Sequence, residues 1–181
     1  MIDEKKLQVM ITKEEMEARI KEVADQINRD YAGEELIVVG ILKGAVLFFA
    51  DLVRSINVDV RFDFMTISSY GNSTESTGEV KIRKDLDTSI VGKNVLIVED
   101  IIDTGLTLTN LKELLLTRKP KSFKICCMLD KPSRRKVEIV PDYKCFDIPD
   151  EFVIGYGLDY QQEGRQIKDV CFVKHEYLDT M

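Results

Sequence analysis

The chain has 181 residues, the length of one ordinary domain, and 44% hydrophobic against 32% charged residues, a globular rather than disordered balance. Its net charge of −6, from 26 Lys+Arg and 32 Asp+Glu, argues against bulk binding of nucleic acid or of an anionic membrane. Four cysteines and one histidine, with no C-x-x-C pair, argue against a zinc site, and buried thiols in a reducing cytoplasm are expected instead.

The N-terminal MIDEKKLQVM lacks the apolar core of a signal peptide, and runs such as LIVVGIL are too short to span a bilayer. Thr12 and Glu15 have capping-box spacing. Met16, Ile20, Val23, Ala24 and Ile27 then recur at helical period, which predicts an amphipathic helix over Lys13 to Arg29. LIVVGI, Leu36 to Ile41, is a continuous β-branched run, the pattern of a strand buried on both faces. Gly44 and a helix in AVLFFADLVRSI follow. Val58 to Ile67 predicts a second strand. Ser68 to Gly78, SSYGNSTESTG, is nearly all small and polar and predicts a long mobile loop.

VLIVE, Val95 to Glu99, predicts a third strand and LTLTNLKELLL the helix after it. SFKICCMLD predicts a fourth strand, with Cys126 and Cys127 facing opposite sides of the sheet. DYKCFDI and DEFVIGYGL read as short later strands, and the basic Arg134-Arg135-Lys136 as a solvated turn. Strands alternating with helices imply an α/β fold, a mostly parallel twisted sheet flanked by helices, within a single domain spanning residues 1–181.

One junction carries the chemistry. VLIVEDIIDTGLTLTNL runs from a buried strand into Glu99, Asp100 and Asp103, and then into Thr104-Gly105-Leu106-Thr107 at a helix start. Ligands of parallel sheets bind at the carboxyl ends of strands. The free N–H groups and dipole of a helix start favour a phosphate, and Gly105 lets the backbone approach it. Carboxylates beside such a cradle suit a ligand bearing both a phosphate and polyol hydroxyls, as a ribose phosphate does, and they attract Mg²⁺. Neither G-x-x-x-x-G-K-[ST] nor G-x-G-x-x-G occurs, so P-loop and dinucleotide readings lose support.

These residues resemble the phosphoribosyl-pyrophosphate signature of the type I phosphoribosyltransferase family. GILKG at Gly40 to Gly44, SSYGNST with STGEVKI, LDKPSRR at Leu129 to Arg135 and DEFVIGYGLDY at Asp150 to Tyr160 resemble its hypoxanthine-guanine branch. The resemblance runs from about Ile37 to Arg165. It implies a small hood of terminal segments and transfer of ribose 5-phosphate from phosphoribosyl pyrophosphate to N9 of hypoxanthine or guanine, giving IMP or GMP and pyrophosphate in purine salvage. It implies that Glu99 and Asp100 hold the ribose hydroxyls, Asp103 is general acid/base at purine N7, and Thr104, Gly105, Leu106 and Thr107 hold the 5-phosphate. Lys131 would donate to the purine O6, Phe152 stack on the base, and Val153 meet it through the backbone. Lys43 and Gly44 would belong to a pyrophosphate loop that often carries a non-proline cis bond, and Arg165 would meet the pyrophosphate. The cofactor would be Mg²⁺, held by Glu99, Asp100 and Asp159. Ser69 and Tyr70 would lie in a lid, and a cytoplasmic homodimer or homotetramer is expected. Gly164 departs from the family, where many relatives have an aromatic before the arginine. Two rivals remain: a regulator on this fold that senses a nucleotide and binds RNA or DNA, which the acidic charge disfavours, and a transferase for xanthine, uracil or adenine.

Overall fold

The computed structural model describes residues 4–69 and 80–174. In chain order the elements are β1 Leu7–Ile11, α1 Lys13–Asp30, β2 Glu35–Leu42, α2 Val46–Ser55, β3 Asp59–Ser69 and β4 Val80–Lys84. Then come β5 Asn94–Ile102, α3 Leu106–Leu116, β6 Ser122–Asp130, β7 Tyr143–Asp147, β8 Val153–Ile154 and β9 Val170–Val173. The main sheet has six strands in the order β4-β3-β2-β5-β6-β7. All its pairs are parallel except β3 with β4. A three-stranded antiparallel sheet, β1-β9-β8, brings the two ends of the described chain together as the expected hood.

The period-2 alternation of the central strands sorts the core into two layers. Leu36, Val38, Leu96, Val98, Cys126 and Met128 face α1, α2 and the hood. Ile37, Val39, Val95, Ile97, Ile125 and Cys127 face Leu108, Leu111 and Leu115 of α3. The adjacent Cys126 and Cys127 thus lie on opposite faces, as their spacing predicts. All four cysteines are buried and free. No helix among the described residues is long and apolar enough to cross a membrane.

Several boundaries differ from the sequence reading. β5 does not stop at Glu99: it continues through both acids to Ile102, because β6 pairs with it as far as Ile102 opposite Asp130. Of DEFVIGYGL only Val153–Ile154 is strand. Gly155, Tyr156 and Gly157 have φ of 96°, 48° and 98°, which takes the backbone out of the extended region. The polar segment from Ser68 is not loop from its first residue: Ser68 and Ser69 are the end of β3, with Ser69 opposite Val80. The rest of that segment, including Tyr70, lies outside the described residues.

Candidate active site

β2 and β5 are neighbours in the sheet, and their carboxyl ends open on a cavity of about 410 Å³. Gly44, Glu99, Asp100, Asp103, Thr104, Gly105 and Thr107 all line it, so the rim expected from the sequence is assembled. The chain after β2 passes through a cis peptide bond between Leu42 and Lys43. Gly44 lies directly on Asp100: a Cβ there would sit 1.5 Å from Asp100 Oδ2. On its other side Gly157 packs on the Gly44 carbonyl, where a Cβ would be 2.1 Å from the oxygen. A side chain at Gly44 would have to displace the Asp100 carboxylate, and one at Gly157 the Gly44 backbone.

The two acids of β5 are held at a cost. Burial and the neighbouring Asp100 push the Glu99 carboxyl well above the usual carboxylate range. Burial likewise raises Asp100 from 3.8 to about 6, although the Ile101 N–H and the charge of Arg165 pull the other way. Glu99 Oε2 is buried with no hydrogen-bond partner. Among the described residues neither carboxylate is in an ion pair, and two adjacent buried carboxylates fit a divalent ion. Among the described residues, however, no three acid, histidine or cysteine side chains cluster as a metal site. The expected trio of Glu99, Asp100 and Asp159 therefore does not form a complete cage by itself. Asp159 is engaged by Arg165, Nη2 to Oδ1 at 2.6 Å.

α3 begins at Gly105, whose φ of 82° takes the chain sharply from the strand end into the helix. A Cβ at Gly105 would also lie 2.5 Å from Ile139 Cγ2. The N-cap Gly105 offers no side-chain cap and the first turn holds no acid; Thr104 Oγ1 accepts a long bond from Leu106 N–H at 3.5 Å. The first main-chain bond of the helix runs from Thr109 N–H to the Gly105 carbonyl at 2.9 Å, and among the described residues the N–H groups of Gly105, Thr107 and Leu108 have no main-chain acceptor. α2, which starts after Gly44, also lacks a side-chain cap and a first-turn acid. The cavity thus receives the positive dipole end of α3 and the carboxylates of β5 together.

The remaining expected residues, Lys43, Leu106, Lys131, Phe152, Val153 and Arg165, are not among those that line the cavity. Lys131 follows β6, only 7% exposed, and its N–H donates to the Ile102 carbonyl at 2.9 Å. Among the described residues its ammonium has no ion-pair partner, which sets it apart from an ordinary surface lysine. Phe152 is 47% exposed and meets Tyr160 edge-on at 5.6 Å, so it is not plain core. Val153, next to it, is buried. Lys43 Nζ donates to Gln162 Oε1 at 3.1 Å. Arg165 is held by its neighbours in the loop. Its Nη1 donates to the Gly157 carbonyl at 2.7 Å, and Gly164 has φ of 90°, a conformation that favours glycine. Leu106 sits in the first turn of α3 without lining the cavity.

The basic turn after Lys131 is not simply solvated. Arg135 donates to the Asp103 carbonyl and pairs with the buried Asp130. Arg134 Nε lies 2.6 Å from Asp103 Oδ1, and its Nη1 donates to Asp150 at 3.2 Å. The available signal was two arginines beside a lysine at a strand end. Their partners, Asp103 and Asp150, are distant in sequence and become visible only in the fold.

The architecture is that of an α/β enzyme with a mostly parallel sheet, whose strand ends carry carboxylates beside a helix start. The phosphoribosyl transferase domain matches residues 9–161, and the chain belongs to that family. It is 49% identical over 166 residues to the hypoxanthine-guanine phosphoribosyltransferase of Bacillus subtilis, covering 92% of each chain. It is 52% identical over 163 residues to the hypoxanthine phosphoribosyltransferase of Salmonella typhimurium, covering 89% of this chain and 92% of that one. The solved structure of a hypoxanthine phosphoribosyltransferase from Staphylococcus aureus superimposes with a TM-score of 0.91 at 47% identity, covering 94% and 93% of the two chains.

Proposed function

We propose that this cavity is where the chain, a hypoxanthine-guanine phosphoribosyltransferase of purine salvage, joins ribose 5-phosphate to a 6-oxopurine. The observation that carries the assignment of the site is the juxtaposition of the open start of α3 with the two unneutralised carboxylates of β5 in one cavity. A phosphorylated sugar satisfies both.

In this reading the N–H groups of Gly105 to Leu108 and the Thr104 and Thr107 hydroxyls hold the 5-phosphate. Glu99 and Asp100 accept from the ribose hydroxyls. The Leu42–Gly44 backbone, Lys43 and Arg165 hold the pyrophosphate. Glu99 and Asp100, with Asp159, would hold Mg²⁺, which would supply positive charge to the leaving pyrophosphate. The purine N9 attacks C1′ and the C1′–O bond breaks, its electron pair leaving on pyrophosphate. The proton released from N7 passes to the Asp103 carboxylate. Phe152 stacks on the base and the Val153 backbone meets its edge. Ser69 and Tyr70 belong to the segment that covers the site, since a sugar cation must be kept from water.

Lys131 sets the choice of base. An ammonium has three donors and no acceptor, so it satisfies O6 of hypoxanthine or guanine and opposes the amino group of adenine. A site built on one such bond rejects the wrong analogue by about 10⁴–10⁵-fold. A panel of free bases with phosphoribosyl pyrophosphate and Mg²⁺ tests this. IMP and GMP should form and AMP should not. Lys131→Met should lower kcat/KM for both oxopurines, narrow the margin over adenine and leave phosphoribosyl pyrophosphate affinity nearly intact. Full discrimination in that variant would remove Lys131 from the base site.

A cytoplasmic location is supported by the four buried free thiols. Assembly as a homodimer or homotetramer is supported by the exposed apolar Val46 and Leu47 of α2 and Phe62 of β3, and sedimentation would test it.

A further inference from the structure

Three segments that meet at the base side of the site are joined by one guanidinium. Arg134 ends the short turn Pro132–Arg134, and its N–H donates to the Lys131 carbonyl at 3.1 Å. Its side chain reaches Asp103, just before α3, and Asp150, two residues before Phe152. The Asp103 and Arg134 side chains are each 43% exposed. An exposed ion pair adds little to stability, so stability is a poor explanation for a bridge aimed at this particular carboxylate.

The geometry of that contact is specific. Asp103 Oδ1 is sealed from solvent, and Arg134 Nε lies 2.6 Å from it as its ion-pair partner. With Oδ1 covered, the exposure of the carboxylate falls to Oδ2. The main chain is fixed independently: Arg135 donates to the Asp103 carbonyl, and Lys136 N–H donates to the Thr104 carbonyl at 3.0 Å. Backbone and carboxylate are thus held by consecutive residues of one turn.

We propose that Arg134 is a positioning residue: it pins Oδ1 of Asp103 and leaves Oδ2 as the oxygen that meets the purine. The proposal rests on the reading of Asp103 as the general acid/base. Arg134 touches neither sugar nor phosphate and acts through the carboxylate. Its second bond, to Asp150, ties that carboxylate to the segment carrying the stacking Phe152. A proton acceptor displaced by about an ångström can lose up to roughly 10²-fold in rate, so a tethered carboxylate is kinetically useful even where the tether is thermodynamically weak.

A double-mutant cycle on the single-turnover rate, with saturating Mg²⁺, phosphoribosyl pyrophosphate and hypoxanthine, tests it. The members are the wild type, Arg134→Gln, Asp103→Asn and the double variant, with Arg134→Lys as the charge-preserving rescue. Arg134→Gln should lower the rate about tenfold with unchanged Tm and unchanged KM for phosphoribosyl pyrophosphate. In the Asp103→Asn background the same change should cost less than about twofold, and Arg134→Lys should recover most of the loss. A wild-type rate in Arg134→Gln beside a collapsed rate in Asp103→Asn would overturn the positioning role and leave the acid/base reading standing. An equal loss in both backgrounds would also overturn it, because Arg134 would then act without Asp103. A near-normal rate in Asp103→Asn would remove the acid/base reading and the proposal together.

Discussion

At the start of α1 the chain closes its own helix end; at the start of α3 it leaves the end open. Thr12 Oγ1 accepts from Glu15 N–H at 3.3 Å, and Glu15 Oε2 accepts from Thr12 N–H at 2.8 Å, a complete capping box. Glu14 and Glu15 add negative charge to that first turn. α3 has a left-handed glycine, no cap and no first-turn acid. Its nearby acids stand outside the helix, in the strand below. The acids of the two regions respond oppositely. The Thr12 bonds hold Glu15 below the usual carboxylate range, whereas burial holds Glu99 and Asp100 above it. One region is electrostatically complete, and the other is complete only with an anion above and a cation beside it.

The largest effect should come from closing the open end sterically. Gly105→Ala meets Ile139 at 2.5 Å and places a Cβ on a residue with φ of 82°. Left-handed strain alone costs about 1–2 kcal/mol. A Tm lowered accordingly, with activity down by more than about tenfold, is expected, since a displaced phosphate cradle misaligns the sugar. The same change at Gly92, also left-handed but with nothing within 4 Å of an added Cβ, should lower Tm and leave activity unchanged.

The pH dependence distinguishes the two regions next. Asp100 is raised to about 6, so the ligand-free fold binds a proton more readily than the unfolded chain does. That contribution to stability is complete below 3.8 and is lost as pH rises through about 6. Glu15 has the opposite sign: its contribution is present above 4.5 and is lost as pH falls. Thermal melts of the ligand-free protein should therefore show stability declining between roughly pH 4 and 6.5, and Asp100→Asn should flatten the decline. Affinity for Mg²⁺ with phosphoribosyl pyrophosphate should rise across the same window, as the carboxylate ionises. A profile identical in wild type and Asp100→Asn would contradict the account of this acid.

The smallest effect belongs to the closed end. Thr12→Ala removes one cap and should cost about 0.5–2 kcal/mol of stability, read as a fall in Tm, with kcat and every KM unchanged. A change in KM for phosphoribosyl pyrophosphate would mean that α1 is coupled to the site.

Much of this contrast is legible in the sequence because it is local. The Thr12/Glu15 spacing, the β-branched LIVVGI and the Thr104-Gly105 turn each announce themselves within a few residues, and α3 spans the LTLTNLKELLL that predicts it. What escapes is set by distant partners. β1 and β9 pair Leu7 with Val173, and β4 is a five-residue edge strand, VKIRK, in which apolar and basic residues alternate. None is long or apolar enough to stand out. The same holds in the site. Glu99, Asp100 and Asp103 are visible as acids at a strand end. The strand's passage through Glu99 and Asp100 depends on β6, and the purpose of Arg134 and Arg135 depends on Asp103, Asp130 and Asp150.

The claim that the start of α3 is left open for a phosphate is tested most directly by calorimetric titration of phosphoribosyl pyrophosphate with Mg²⁺ into wild type, Thr12→Ala and Thr107→Asp. An acid at Thr107 supplies the negative charge that α3 lacks, so it should raise Tm slightly or leave it unchanged. It should also weaken binding by at least about tenfold, because a first-turn anion is favourable to the helix dipole and repels the ligand. Thr12→Ala should bind as wild type does. Undiminished affinity in Thr107→Asp would contradict the account and place the phosphate elsewhere.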